Sequence, residues 1–220
     1  MAQLTSDRRS IVTPRLSRQT DVHPPSIDTN WHARLPTLKG GGVVLRELHT
    51  SDAPSLFTFL TTTAVARFLS PPPDSVNGFE RFIQWAAQER SVGKCACFAV
   101  TQPASDRAIG IFQIRSTEPG FGTAEWGFAL GSPFWGSGTF DDGAALALKF
   151  AFATMGVHRL EARAAVRNGR GNRALQKLGA VQEGLLRESF ARNGEHLDQV
   201  LWTILAEDHL APVPSTPVTH

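Results

Sequence analysis

The order of periodic segments predicts an α/β fold built on one mixed, mostly antiparallel sheet with flanking helices. Three observations carry that expectation. The segments run strand, two helices, three strands, helix, strand, helix, two strands, without internal repeat and without the βαβ units of a doubly wound nucleotide fold. The three successive strand-like segments at 95–101, 107–115 and 122–130 fit an antiparallel meander. Residues 134–152, FWGSGTFDDGAALALKFAF, set a glycine-spaced turn directly before an apolar helix. Such a turn leaves backbone N–H groups pointing outward at a positive helix terminus, a place suited to phosphate. A phosphorylated ligand is therefore expected there.

Taken in order, residues 1–38 scatter Pro14, Pro24, Pro25 and Pro36 among Arg8, Arg9, Arg15 and Arg18 with neither helical nor strand periodicity. They read as a disordered extension. Gly40, Gly41 and Gly42 read as a hinge into a first strand at 43–48, which has a β-branched start. The folded domain is expected over 39–210, with 211–220 as a flexible tail. Ser51 or Asp52 is placed to cap a helix that carries Pro54 in its first turn and Leu56, Phe57 and Leu60 at helical spacing. Prolines at 71–73 separate it from a second helix over 76–90, with Phe79, Phe82, Ile83 and Ala86 on one side. In the meander, Trp126, Phe128 and Leu130 alternate with Glu125, Gly127 and Ala129. Beyond the glycine turn and its helix come a strand at 158–166, a helix at about 171–178, and two strands around Asn193-Gly194, the strongest short-range hairpin signal in the chain.

Composition narrows the function classes. A formal charge of +2 over 220 residues is too mild for a general nucleic-acid or membrane-surface footprint. Neither an apolar run of spanning length nor the apolar core of a signal peptide is present, so a cytoplasmic enzyme or binding protein is expected. Cys95 and Cys97 lie two apart in a strand, share a face and read as reduced core thiols rather than a metal or redox pair. No metal is expected. The chain has no tyrosine, which removes one common general acid.

Residues from about 43 to 206 resemble a GCN5-related N-acetyltransferase of the ribosomal-protein N-terminal acetyltransferase type. The resemblance is carried by Glu125-Trp126-Gly127-Phe128-Ala129-Leu130, Pro133-Phe134-Trp135-Gly136-Ser137-Gly138, His158-Arg159-Leu160-Glu161-Ala162-Arg163, Asn168, and Leu175-Gln176-Lys177-Leu178-Gly179-Ala180, in matching order and spacing. It implies acetyl-coenzyme A as donor and a primary amine, either a protein N-terminus or a small molecule, as acceptor. It also implies two strands that splay apart, so that backbone at Phe128, Ala129 and Leu130 holds the pantetheine arm. Trp135, Gly136, Ser137, Gly138 and Thr139 would form the pyrophosphate anchor. Asn168 would bond both backbone and pantetheine, and Arg167, Arg170, Arg173 and Lys177, which cluster around it, could meet the 3′-phosphate or merely solvate the helix. The residues give their own reasons, since glycine lets a phosphate approach the backbone, but a tight strand-to-helix connection would use the same glycines. Asn168 could equally be a turn residue before Gly169.

Phe140, Asp141 and Asp142 depart from the family, where small and hydroxyl residues are usual. Two carboxylates suit the helix dipole but repel a pyrophosphate at the same terminus. The expectation is that Thr139 caps the helix, that Asp142 completes a capping-box-like pair, and that both aspartates point away from the phosphates. Replacing Asp141 by Ser would then leave cofactor affinity almost unchanged.

Amide formation from a thioester needs a neutral amine, a positioned carbonyl and a proton for the departing thiolate. Glu125 and Glu161 are the candidate bases, with Glu125 slightly favoured; each could instead be a solvated or salt-bridged strand residue. A tyrosine that serves some relatives as acid is replaced here by Leu175. Ser189, the incoming ammonium or solvent could supply the proton, and a thiol with a pKa of about 8.5 does not need a strong acid. The competing function is a catalytically weak acyl-coenzyme A-binding module. A third, RNA binding, has no aromatic-basic motif to support it. Monomer and homodimer both stay open, the second through an exposed edge strand in the final hairpin.

Overall fold

The computed structural model describes residues 30–210. The expectations for residues 1–29 and 211–220 lie outside that range. A single sheet of eight strands runs in the order β1-β2-β3-β4-β5-β6-β8-β7. The strands are β1 (Leu38–Gly40), β2 (Val43–Glu47), β3 (Cys95–Gln102), β4 (Ser105–Ser116), β5 (Thr123–Leu130), β6 (Arg159–Ala165), β7 (Val181–Arg192) and β8 (Glu195–Leu205). All neighbouring pairs are antiparallel except β5 with β6. The helices are α1 (Ala53–Leu60), α2 (Thr63–Ala66), α3 (Val76–Ser91), α4 (Thr139–Ala153), α5 (Gly169–Lys177) and α6 (Ala206–Leu210).

The sheet is covered on both faces, as a mixed sheet of this width requires. On one face α4 buries Ala144, Ala147, Leu148 and Ala151 against Phe98, Phe112, Ile114 and Trp126. On the other, α1 and α3 place Leu56, Leu60, Phe79 and Ile83 over Cys95, Cys97, Ala99 and Ala108. The small residues on that strand face let the two helices settle close to the sheet. Both thiols are free and buried. Burial pushes the Cys95 thiol up to about 11, which leaves it protonated at neutral pH.

Several expectations change. The triple glycine is no hinge: Gly40 closes β1, and Gly41 and Gly42 form the turn to β2. Within the stretch expected as an extension, the described residues from 30 on are folded, because Trp31 and Leu35 belong to the main core. Trp31 packs edge-on against Phe121 and Phe150, and a buried indole with aromatic neighbours holds chain that shows no periodicity of its own. Neither Ser51 nor Asp52 caps α1 with its side chain. The Asp52 carboxylate instead accepts the backbone N–H of His49 and both terminal nitrogens of buried Arg46, at 2.8 Å each. A side-chain cap appears two helices later, where Ser75 Oγ accepts the N–H of Gly78 at the start of α3.

The parallel β5–β6 pairing positions the site. It extends over three registered pairs, ending at Glu125 opposite Glu161. Beyond that point β5 stays with β4 as far as Leu130, while β6 stays with β8 as far as Ala165. The two strands therefore part company, and a wedge opens in the middle of the sheet.

Candidate active site

The wide end of the wedge is formed by three local devices. The first is the turn after β5. Gly136 and Gly138 have φ of +76° and +84°, the left-handed region that a side chain opposes. Nothing lies within 4 Å of where a Cβ would stand on either, so both leave clear space in front of the backbone. Gly138 is the N-cap of α4 and provides no side chain to bond the first-turn N–H groups. Those amides are left for another acceptor. The second device is Asn168, whose Oδ1 accepts the N–H of Gly171 at 3.0 Å and caps α5. The third is Trp135, whose Nε1 donates to the carbonyl of Leu130 at 2.8 Å and pins the turn to the free end of β5.

Between these devices lies a cavity of about 640 Å³. Its walls include Phe128, Ala129 and Leu130 of β5, Trp135, Gly136 and Gly138 of the turn, and Asn168, Arg173 and Lys177 around α5. Ala64, Val65, Arg67 and Phe68, in and after α2, close it from the other side. Four of its lining residues between 167 and 177 are cationic, namely Arg167, Arg170, Arg173 and Lys177. The structure thus brings together most residues expected to hold a cofactor. Ser137 and Thr139 do not line the cavity. Thr139 is buried and does not cap α4; its hydroxyl is 2.8 Å from that of Ser137, which bonds the carbonyl of Phe134.

The aspartates part ways. Asp142 turns from the cavity and accepts the N–H of Gly42 at 2.9 Å, so it tethers the β1–β2 turn and completes no capping box. Asp141 does the opposite of what was expected: it lines the cavity and meets Lys177 Nζ at 2.6 Å. Phe140 fills a place between core and cavity, with its ring 4.8 Å from that of Phe128.

The candidate catalytic groups stand elsewhere. Glu125 and Glu161 are register partners at the vertex of the wedge, and neither lines the cavity. Glu125 binds Arg115 at 2.7 Å. Glu161 binds Arg159 at 2.8 Å, and Arg159 also grips Glu183. Together with Thr203, Arg159 holds the Glu183 carboxyl down to about 2. Ser189, on β7, is hydrogen bonded to the Leu186 carbonyl and to Gln199, and it lies outside the cavity walls too.

Sequence reasoning missed Asn172 and Arg192. Asn172 Nδ2 donates to the carbonyls of Ala165 and Asn168, and its Oδ1 accepts Trp202 Nε1, so it ties α5 to β6 and β8. The only signal available was its place four residues after Asn168. Arg192, at the tip of the final hairpin, donates to the carbonyl of Ala66 in α2. It joins the hairpin tip to the C-terminal end of α2.

Comparison with known proteins agrees with this geometry. The model of an acetyltransferase (GNAT) domain matches residues 43–181. An uncharacterized N-acetyltransferase, p20, of Bacillus licheniformis is 23% identical over 176 residues, covering 80% of this chain and 99% of its own. The ribosomal-protein-S5-alanine acetyltransferase of Vibrio fischeri superposes with a TM-score of 0.70 at 20% identity, over 79% of this chain and 98% of that one. RimJ of Mycobacterium smegmatis, solved in complex with CoA-disulfide, gives 0.70 at 21% identity, over 79% and 85%. A splayed β5–β6 pair, a glycine turn at its wide end and a family match over more than half of its length place this chain in the GNAT family, as an N-acetyltransferase.

Proposed function

We propose that the protein moves an acetyl group from acetyl-coenzyme A to a primary amine, on a protein N-terminus or a small molecule, by direct attack in a ternary complex. The observation that carries this reading is the wedge itself, with a cation-lined cavity at its wide end and two carboxylates at its vertex. Bound acetyl-coenzyme A would supply an acyl group activated as a thioester. The turn at Gly136 and Gly138 offers uncovered amides for its pyrophosphate, and the N-terminus of α4 adds a favourable field. Backbone between Phe128 and Leu130, unpaired with β6, is free to bond the pantetheine arm. Asn168 keeps its amide nitrogen available while its oxygen caps α5. Arg173 is placed for a phosphate of the nucleotide end.

At the vertex, Glu125 removes a proton from the incoming ammonium, directly or through water, with Glu161 beside it as the second candidate. The proton lost by the amine balances the one required by the departing thiolate, which solvent can supply. Ser189 is the less direct donor, since its hydroxyl is turned to Leu186 and Gln199. The acceptor enters between the hairpin tip and the chain around α2, which Arg192 joins. A monomer completes this arrangement, and the edge strand β7, with Val181 and Leu185 exposed, allows a homodimer.

One observation favours the competing module: both glutamates are already engaged by arginines. Thiol release measured with a panel of amines and peptides decides between them. Turnover that falls in Glu125→Gln supports the enzyme as described. Coenzyme A binding with no turnover for any acceptor would establish the weak module.

A further inference from the structure

The cations that line the cavity near α5 differ in one respect: most already have a companion. Arg167 reaches Glu195 at 3.1 Å. The guanidinium of Arg170 lies 3.6 Å over the ring of Trp135. Lys177 Nζ is 2.6 Å from Asp141 Oδ2. Arg173 has no acidic partner among the described residues.

The Lys177–Asp141 contact differs in kind, because both of its residues line the cavity. Its carboxylate belongs to the first turn of α4, the turn whose amides are uncapped. An anion is attracted to that position whether it comes from a side chain or from a ligand. Asp142, with the same charge one residue along, is committed to Gly42 and plays no such part. Asp141 therefore does locally what a bound phosphate would do, in that it lies at the positive end of the helix and takes the lysine.

We infer that Asp141 is a resident stand-in for a cofactor phosphate. In the free protein it holds Lys177, and on binding a phosphate group takes Lys177 over. The inference rests on the coenzyme A reading above and adds to it a residue that sets cofactor affinity. The exchange is easy, because side-chain exposures of 69% and 40% make the ion pair a solvent-screened contact. It is also incomplete. The displaced carboxylate stays in the first turn of α4, near the incoming phosphate, and a like charge there opposes binding. Asp141 thus holds affinity below what the turn and the α5 cations alone would provide, which also speeds departure of the spent carrier.

The test is calorimetric titration of coenzyme A into the full chain as wild type, Asp141→Asn, Asp142→Asn, Lys177→Gln and the Asp141→Asn/Lys177→Gln double variant, each checked for an unchanged melting profile. Asp141→Asn is expected to bind about 3- to 10-fold more tightly at low salt, a gain that shrinks as salt rises. Asp142→Asn should stay within about twofold of wild type, as a charge directed elsewhere. Lys177→Gln should bind more weakly, and in its background the gain from removing Asp141 should shrink to the part due to like-charge repulsion, because there is no longer a lysine to compete for. An Asp141→Asn affinity equal to or below wild type overturns the inference, and so does a gain that persists undiminished without Lys177. If wild type and every variant fail to bind coenzyme A, the cofactor reading itself falls and takes this inference with it.

Discussion

At its wide end the β5–β6 wedge is built from local backbone devices: a turn with two left-handed glycines, a helix that starts without a side-chain cap, and an asparagine that caps the next helix. At its vertex it is built from side-chain ion pairs along and across strands, with Glu125 set against Arg115 of β4 and Glu161 against Arg159 of its own strand, which Glu183 of β7 also holds. The contrast teaches that, under the proposed function, binding and chemistry would rest on different kinds of structure. Anchoring of the cofactor, as proposed, would rest first on backbone shape, with nearby side-chain charge adjusting it. Proton transfer, as proposed, would depend on how this side-chain network shares its arginines, and that network can be rebalanced by a single side chain.

The sharpest way to break this division is at the vertex. Glu125→Gln should lower kcat by about 100-fold or more, the usual scale for losing a general base, and leave the calorimetric affinity for coenzyme A unchanged. A parallel loss of affinity would show that the two ends are not separate. At the wide end, Gly138→Ala forces a side chain into φ of +84° and should cost about 1–2 kcal/mol. It should appear as lower stability in urea unfolding, and because the new Cβ would stand in the open space before the turn, coenzyme A binding should weaken too, with little change in kcat at saturation.

Legibility in the sequence follows the same division. The hairpin at Asn193-Gly194 could be read directly, because a two-residue turn with φ of +50° and +77° demands those residue types. The glycine turn before α4 was legible for the same local reason. Gly40 to Gly42 misled because a run without side chains carries no register, and β1 is only three residues long. Trp31 was invisible as a core residue because its partners, Phe121 and Phe150, lie about a hundred residues on. The two aspartates look alike in sequence, and only tertiary contacts send Asp142 to Gly42 and Asp141 to Lys177.

Two smaller effects sharpen the comparison. Asn168→Ala removes the α5 cap and should destabilise the protein by about 1 kcal/mol in urea unfolding, and coenzyme A binding should weaken too if the amide nitrogen also serves the ligand. If stability falls and affinity does not, Asn168 is structural alone. At the vertex, Arg159 and Thr203 depress the Glu183 carboxyl to about 2 from an ordinary value of 4.5. Its contribution is therefore present above pH 4.5 and is lost as pH falls toward 2. Because the side chain is partly exposed, wild type should exceed Glu183→Gln by less than about 1 kcal/mol at neutral pH, and the gap should close in acid.

The guanidinium of Arg170 stacked on Trp135 also gives the protein an optical reporter. A cation against an indole face perturbs its excited state, and that indole lines the cavity proposed for coenzyme A. Trp31, Trp126 and Trp202 are buried, so their emission should be steady background, and Trp85, exposed on α3, can be silenced by Trp85→Phe. Any ligand that draws Arg170 off the ring would then write its arrival into the emission of one residue. Cofactor entry could be timed in stopped flow without a label.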